Sequence, residues 1–445
     1  MLNVTHLAPV LQTVLTTDAD DAARATGFLR RQRKLTGSVF VRTLVFGWLH
    51  DPSASVETLT ETCADLGVEL APSSLDERFT PQAADCLAVV LSQALEHVLS
   101  ARPAAVPLLR RFNGVYLQDS SSIRLPAALA PFLPGCGGSG PDAGAAALKL
   151  QVRWEISGCA LEGLSWHPGR AADTKAPLSQ AFLPAGALRL ADLGYFELNT
   201  LQAYDEQKVY FLSRLPSRSV LYDGQGHKQR LGALLAAVPG NAVDAEVHVG
   251  ADKRLRCRLL ALRVPAAVAQ QRRQRLHQQA QKKGRKVSAE RLALCAWTVY
   301  ITNAPAQKLS LREALALGRA RWQIELLFKL WKSEGRIDKS RGQRPWRVLC
   351  EVYAKLLAMV VQHWVLLTAG PLLGRSAVKA ARQVRRQAVH LAQALGVAGQ
   401  LQRVLRRLQK RLERSGRIKG RRRDASTIQV LLDPEHRTFS DRRKP

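Results

Sequence analysis

Residues 318–336 read GRARWQIELLFKLWKSEGR. Ile324, Leu327 and Trp331 recur at spacings of three and four, which marks one buried stripe of a helix. Arg321, Glu325, Lys329 and Lys332 lie at i, i+4, i+8 and i+11, so they share a neighbouring face. One acid among three cations on a helix face supports two readings. It is a solvated ion-pair stripe, worth a few tenths of a kcal/mol per pair, or a metal-binding carboxylate whose neighbours grip phosphate. Spacing alone leaves both open. The pattern predicts one long helix from Leu311 to Glu334.

Two acids upstream bear on that choice. Mg²⁺ takes hard oxygen ligands, usually a few carboxylates with water and substrate phosphate. Two such ions can activate an attacking oxygen and stabilise a leaving one. Asp119 follows the apolar strand Gly114–Leu117 and precedes three serines. Asp192 ends the strand Ala187–Leu190 and precedes Leu193-Gly194-Tyr195-Phe196. An acid buried on a strand is costly unless paired or metal-bound. Each also reads as an ordinary turn or helix-capping aspartate.

The 445 residues suffice for two or three domains with real cores. The net charge is +30, which calls for a polyanionic partner, nucleic acid first and an anionic membrane surface second. Residues 1–100 carry 7 Lys/Arg against 12 Asp/Glu, whereas residues 375–445 carry 20 against 5. So dense a basic tail tracks phosphates or is a solvated, mobile segment. The seven cysteines form no C-x-x-C pair and no zinc spacing, as expected of reduced thiols in a cytosolic protein. No signal peptide is expected from Met1–Asp18. Leu356–Gly374 has no formal charge, but Gln362, His363 and the Pro371 break favour a buried core helix over a membrane span. The glycine-rich stretch Gly135–Ala147 lacks the Gly-Lys-Ser/Thr ending of a phosphate-cradling loop. The histidines are scattered and no nucleophile-elbow motif occurs.

The pattern divides the chain into five. Residues 1–105 read as helical; Thr58–Leu66 and Ser74–Phe79 have helix-turn-helix proportions, and a plain bundle reads equally well. Residues 106–214 carry strands, including a hairpin of Leu148–Ser157 and Ala160–Trp166 turning at Gly158. Residues 215–305 form a β-rich insertion with strands at Ala245–Gly250, Arg254–Val264 and Leu294–Thr302. Residues 306–370 hold the quoted helix and an apolar helix at Trp346–Leu367. Residues 371–445 form a basic helical tail, mobile after Gly416.

Arg321-x3-Glu325-x6-Lys332 resembles the signature of bacterial insertion-sequence transposases of the DDE class that carry a β-strand insertion. The likeness extends to VYLQDSSS at Asp119, ADLGYF at Asp192, WTVYITNAP from Trp297 and RVLCEVYAKLLAMVVQHW after the signature, or most of residues 25–370. It implies an α/β fold: a ribonuclease-H-like mixed-sheet core, interrupted by the β-rich insertion, between the helical head and the basic tail. Asp119, Asp192 and Glu325 would then be the catalytic carboxylates binding two Mg²⁺ ions, with Mn²⁺ as a substitute. Arg321, Lys329 and Lys332 would contact phosphates. Trp297 would stack on an extruded base, or else serve as a core residue of its strand. The implied partner is double-stranded DNA, both transposon ends and target. A homodimer would pair two ends, in the cytoplasm at the nucleoid and with no membrane partner. Strand hydrolysis would free a 3′-hydroxyl for hairpin formation and later attack on target DNA. One position departs: the family usually has Tyr three residues before the signature Arg, and Gly318 stands there. A DNA-binding derivative without cleavage, and a metal nuclease unconnected with mobility, use the same residues.

Overall fold

A computed structural model describes residues 2–31, 34–136, 145–282, 284–397, 399–415 and 425–437. The ten strands are β1 (Val115–Leu125), β2 (Ala146–Glu155), β3 (Ala160–Pro168), β4 (Leu188–Ala191), β5 (Tyr210–Arg214), β6 (Leu221–Tyr222), β7 (Lys228–Gln229), β8 (Ala242–Val249), β9 (Leu255–Arg263) and β10 (Trp297–Thr302). The chain forms two compact units. The first holds Met1–Ala105, Ser120–Ala172 and Gln323–Arg423; the second holds Val106–Asp119, Asp173–Trp322 and Asp424–Pro445. This grouping cuts across the five stretches read from the sequence. Both units are mixed α/β.

The first unit is built around the helix Pro345–Leu367, which packs against Pro81–Glu96 and Gly37–His50. Helix Pro345–Leu367 is apolar enough in length and composition to cross a bilayer, yet its most apolar window is 94% buried, the condition of a core helix. Its buried Glu351, Lys355 and His363 are all answered. Lys355 Nζ donates to Glu351 Oε1 at 2.7 Å, to Lys339 O at 2.8 Å and to Arg336 O at 3.2 Å. Ser340 Oγ donates to the other Glu351 oxygen at 2.7 Å. His363 Nε2 meets Cys159 O at 2.7 Å, and burial pushes its pKa down to about 4.

The head of this unit differs from the sequence reading in three ways. Helices Val4–Gln12 and Asp18–Ala25 precede the expected ones. The stretch Ser74–Leu99, whose apolar spacing reads as one helix, is two, Pro72–Asp76 and Pro81–Glu96, because Thr80 caps and Pro81 opens the second. The would-be recognition helix is thus a single turn, with Leu75 buried and Asp76 paired to Arg344 and Arg347. An acid already paired to two arginines is poorly placed to read bases, which favours the plain bundle.

The basic tail of this unit is three helices, Ala377–Arg385, Ala388–Ala394 and Gln400–Ser415. In the last, Leu401, Leu405, Leu408 and Leu412 are buried, while Arg403, Arg406, Arg407, Lys410, Arg411 and Arg414 are exposed. Residues 137–144 of the glycine-rich stretch, and 416–424 and 438–445 of the tail, lie outside the described residues.

In the second unit the strand order is β1-β4-β5-β10-β9-β8-β6-β7. β1, β4 and β5 are parallel neighbours, and all pairs from β5 onward are antiparallel. In the first unit β2 and β3 pair antiparallel in the expected hairpin. The insertion has the three expected strands, β8 to β10, with the helix Ala266–Gln281 between β9 and β10. Its apolar faces share one core with helix Leu198–Glu206. The short pair β6 and β7 had no sequence signal. Helix Thr427–Leu432, in the tail expected to be mobile, has a full capping box at Ser426 and Gln429 and buries Val430 and Leu431. It packs on helix Leu311–Ala320.

Candidate active site

β1 does not stop before Asp119 but runs through it to Leu125. Ser120-Ser121-Ser122 reads as a loop by composition. Ile123 and Leu125, both buried, continue the alternation that keeps it a strand. Asp192 falls one residue beyond β4, at the N-cap of the short helical turn Leu193–Tyr195, and its side chain makes no capping bond. Its carboxylate is therefore not used as a cap. β1 and β4 are parallel neighbours, with Gln118 paired to Ala191, so the two aspartates follow paired residues.

Both carboxylates reach one cation. Arg321 Nη1 donates to Asp119 Oδ2 at 3.3 Å, and Arg321 Nη2 lies 4.0 Å from Asp192 Oδ1. Asp119 and Arg321 are each 17% exposed in the side chain, Asp192 48%. Two carboxylates that flank one guanidinium converge on the same cationic group, and their oxygens are the hard donors a divalent ion takes. The donor type fits such an ion. Among the described residues no group of three or more His, Cys, Asp or Glu is gathered as a metal cluster.

Behind the aspartates lies a buried polar network that sequence reading missed. Arg189 Nε donates to Gln118 Oε1 at 3.0 Å, Gln118 Nε2 to Ser179 Oγ at 3.0 Å, and Ser179 Oγ to Asp173 O at 2.6 Å. The guanidinium lies over the rings of Tyr204 and Tyr195, 5.3 and 5.6 Å from their centroids. Burial lowers the Arg189 pKa and the two tyrosines oppose that shift. The network cross-links β1 and β4 one residue before Asp119 and three before Asp192. Its only sequence signal was an arginine at an interior position of the apolar run ALRLA.

The signature segment is two helices rather than one. Leu311–Ala320 opens with a capping box at Ser310 and Glu313, and Trp322–Ser333 follows. Arg321 interrupts them while keeping right-handed helical dihedrals. Arg321 lies in the second unit with Asp119 and Asp192; Glu325, Lys329 and Lys332 lie in the first. Ile324, Leu327 and Trp331 are buried, as their spacing predicts. Lys332 Nζ donates to Ser122 O on β1 at 3.1 Å, within the first unit. Trp297 is a core residue: 8% exposed, packed in the insertion's apolar cluster with the Arg263 guanidinium 4.8 Å above its ring. All seven cysteines are free thiols.

Residues 112–361 match the family model described as Transposase DDE domain. The chain belongs to the DDE transposase family. Its relatives include the transposase for insertion sequence element IS231F of Bacillus thuringiensis subsp. israelensis, 28% identical over 364 residues, covering 76% of this chain and 75% of that one. The transposase for IS1151 of Clostridium perfringens is 23% identical over 373 residues, covering 78% and 77%. A solved piggyBac transposase synaptic complex with hairpin DNA aligns at a TM-score of 0.47 and 10% identity, over 93% of this chain and 85% of that one. As a DDE transposase the protein is an enzyme of DNA phosphodiester cleavage and transesterification, and enzymes of this family generally use divalent metal ions.

Proposed function

We propose that this transposase binds the terminal inverted repeats of an insertion sequence and carries out metal-dependent strand cleavage and strand transfer, in a cut-and-paste reaction. The observation that carries the reading is the pair Asp119, within β1, and Asp192, just past β4, on adjacent parallel strands and sharing Arg321. A ribonuclease-H-like core is supported by the orders β3-β2-β1 and β1-β4-β5, with β4 and β5 parallel to β1.

Asp119, Asp192 and Glu325 are the proposed ligands of two Mg²⁺ ions, with Mn²⁺ as a substitute. Bound divalent metal activates the attacking oxygen and stabilises the leaving one. Arg321, Lys329 and Lys332 grip backbone phosphates at the transposon end as charge-assisted donors. When DNA enters, Arg321 exchanges a carboxylate partner for a phosphate. A stacking role for Trp297 requires its ring to leave the cluster that now buries it; a core role needs no such change. Residues 1–105 and the insertion 215–305 bind the ends, and 106–214 with 306–370 form the catalytic core. The tail 371–445 adds phosphate contacts through the exposed cations of helix Gln400–Ser415. A homodimer pairs two ends, on DNA in the cytoplasm.

The test is incubation with Mg²⁺ and a DNA fragment carrying the element's own ends. Nicking confined to the 3′ ends, abolished by Asp119→Ala, is expected. Binding without cleavage, or cutting that ignores end sequence, contradicts the reading.

A further inference from the structure

Helix Ala266–Gln281, in the insertion, has a composition that its own stability does not require. Its sequence AAVAQQRRQRLHQQAQ holds six glutamines, three arginines and no acid. Residues 265–286 carry seven Lys/Arg without a single carboxylate. A solvent-facing helix is ordinarily laced by acid–cation pairs at i, i+4. None can form within this one.

At 3.6 residues per turn the helix has two distinct sides. One carries Ala269, Arg272, Arg273, Leu276 and Ala280, all buried or half-buried. Its arginines are fasteners. Arg272 donates to the Trp297 carbonyl at 2.9 Å and to Thr298 Oγ1 at 3.0 Å on β10, and Arg273 Nε donates to the Leu292 carbonyl at 3.2 Å. The opposite side presents Gln270, Gln274, Gln278 and Gln281 in one row, with Arg275 and Lys282 along its edge, and all six are exposed. These residues all belong to the second unit.

We propose that this helix reads sequence: it enters the major groove of the transposon end, with its glutamines on adenine edges and Arg275 and Lys282 on the flanking phosphates. The occupant follows from the chemistry. An acid-free face with cations at its edge complements a polyanion. A glutamine carboxamide offers both a donor and an acceptor, and adenine shows the matching N7 acceptor and N6 donor in the major groove. That groove, roughly 12 Å wide, admits an α-helix. The arginine fasteners on the far side hold the glutamine row in one orientation, which base reading requires.

This inference rests on the reading that the protein binds its element's ends, and the experiment separates the two. Affinity of the full chain for a labelled end fragment, and for a scrambled fragment of equal length, is measured across a salt series. The wild type is compared with Gln274→Ala/Gln278→Ala and with Arg275→Ala/Lys282→Ala. Alanine is the strongest helix former, so these exposed changes keep the helix. The glutamine variant is expected to lose about 100-fold of its preference for the end, about 10-fold per glutamine. Its affinity for the scrambled fragment and its salt slope stay unchanged, because no charge is lost. The cation variant is expected to weaken both fragments alike and to lower the slope by about two phosphate contacts. 7-Deaza-adenine, which lacks N7, is then placed at each adenine of the end in turn. It is expected to weaken the wild type about 5-fold at positions to which the glutamine variant is indifferent. Full end preference in the glutamine variant, an equal loss on both fragments, or the same 7-deaza-adenine profile in both proteins overturns the assignment. An unchanged slope in the cation variant overturns the flanking role of Arg275 and Lys282. No preference for the end in the wild type overturns the underlying reading instead.

Discussion

Two regions of the transposase each bury a cation, and they do it differently. Lys355, in helix Pro345–Leu367, has a carboxylate partner in Glu351 and two backbone carbonyls besides. It closes the segment 336–342 onto the core. Arg189, on β4, has no carboxylate partner among the described residues; Gln118 and two tyrosine faces receive it. The difference follows from what each region does. A buried acid beside Lys355 only has to stabilise. A buried acid beside Arg189 would compete for the Arg321 guanidinium that Asp119 and Asp192 share, and for the metal proposed there. The sheet binds its arginine with neutral groups, leaving its carboxylates to Arg321.

The comparison breaks most easily at Lys355. Lys355→Met strands Glu351 in the core, and denaturant unfolding should show a loss of roughly 3–5 kcal/mol. Replacing both residues by apolar ones of similar volume should recover most of that. A double variant as unstable as the single would mean the ion pair is not the reason.

His363 is the next largest effect. Its folded pKa is about 4, below the unfolded value of about 6.5. The unfolded chain takes up the proton first, so the contribution is fully present above pH 6.5 and is lost as pH falls towards 4. Over that window it amounts to about 3 kcal/mol. His363→Gln should flatten this part of the stability profile; an unchanged profile would contradict the assignment.

Arg189→Met should cost less than Lys355→Met, roughly 1–3 kcal/mol, since it orphans a neutral Gln118 oxygen rather than a charge. The expected signature is a raised Mg²⁺ requirement for cleavage with end affinity retained, because the β1–β4 cross-link is lost. A loss as large as that of Lys355→Met, with no change in metal requirement, would erase the distinction between the regions.

Much of the fold could be read from period and punctuation. The β2–β3 hairpin, the insertion strands β8 to β10 and helix Pro345–Leu367 follow from alternation or helical spacing. The Thr80-Pro81 break was legible too, as a cap followed by proline at N1. Other features depend on residues distant in sequence. Ser120–Ser122 look like a loop until strand pairing overrides local preference. Arg189 looks out of place until Tyr195 and Tyr204 are beside it. The cationic run at the chain end masks the short apolar helix Thr427–Leu432. Gly318 reads as the loss of an aromatic residue until Tyr300, 18 positions earlier, is seen packed where a side chain at 318 would stand.

The signature segment and the two aspartates carry one proposal together: that Asp119, Asp192 and Glu325 act as a single catalytic set. The most direct measurement is single-turnover 3′-end cleavage in Mg²⁺ by Glu325→Gln, with end affinity measured in parallel. The account predicts a cleavage loss well beyond about 100-fold, more than removal of an outer-sphere group costs, with affinity within a few-fold of wild type. Cleavage by Glu325→Gln at a near-wild-type rate would contradict it.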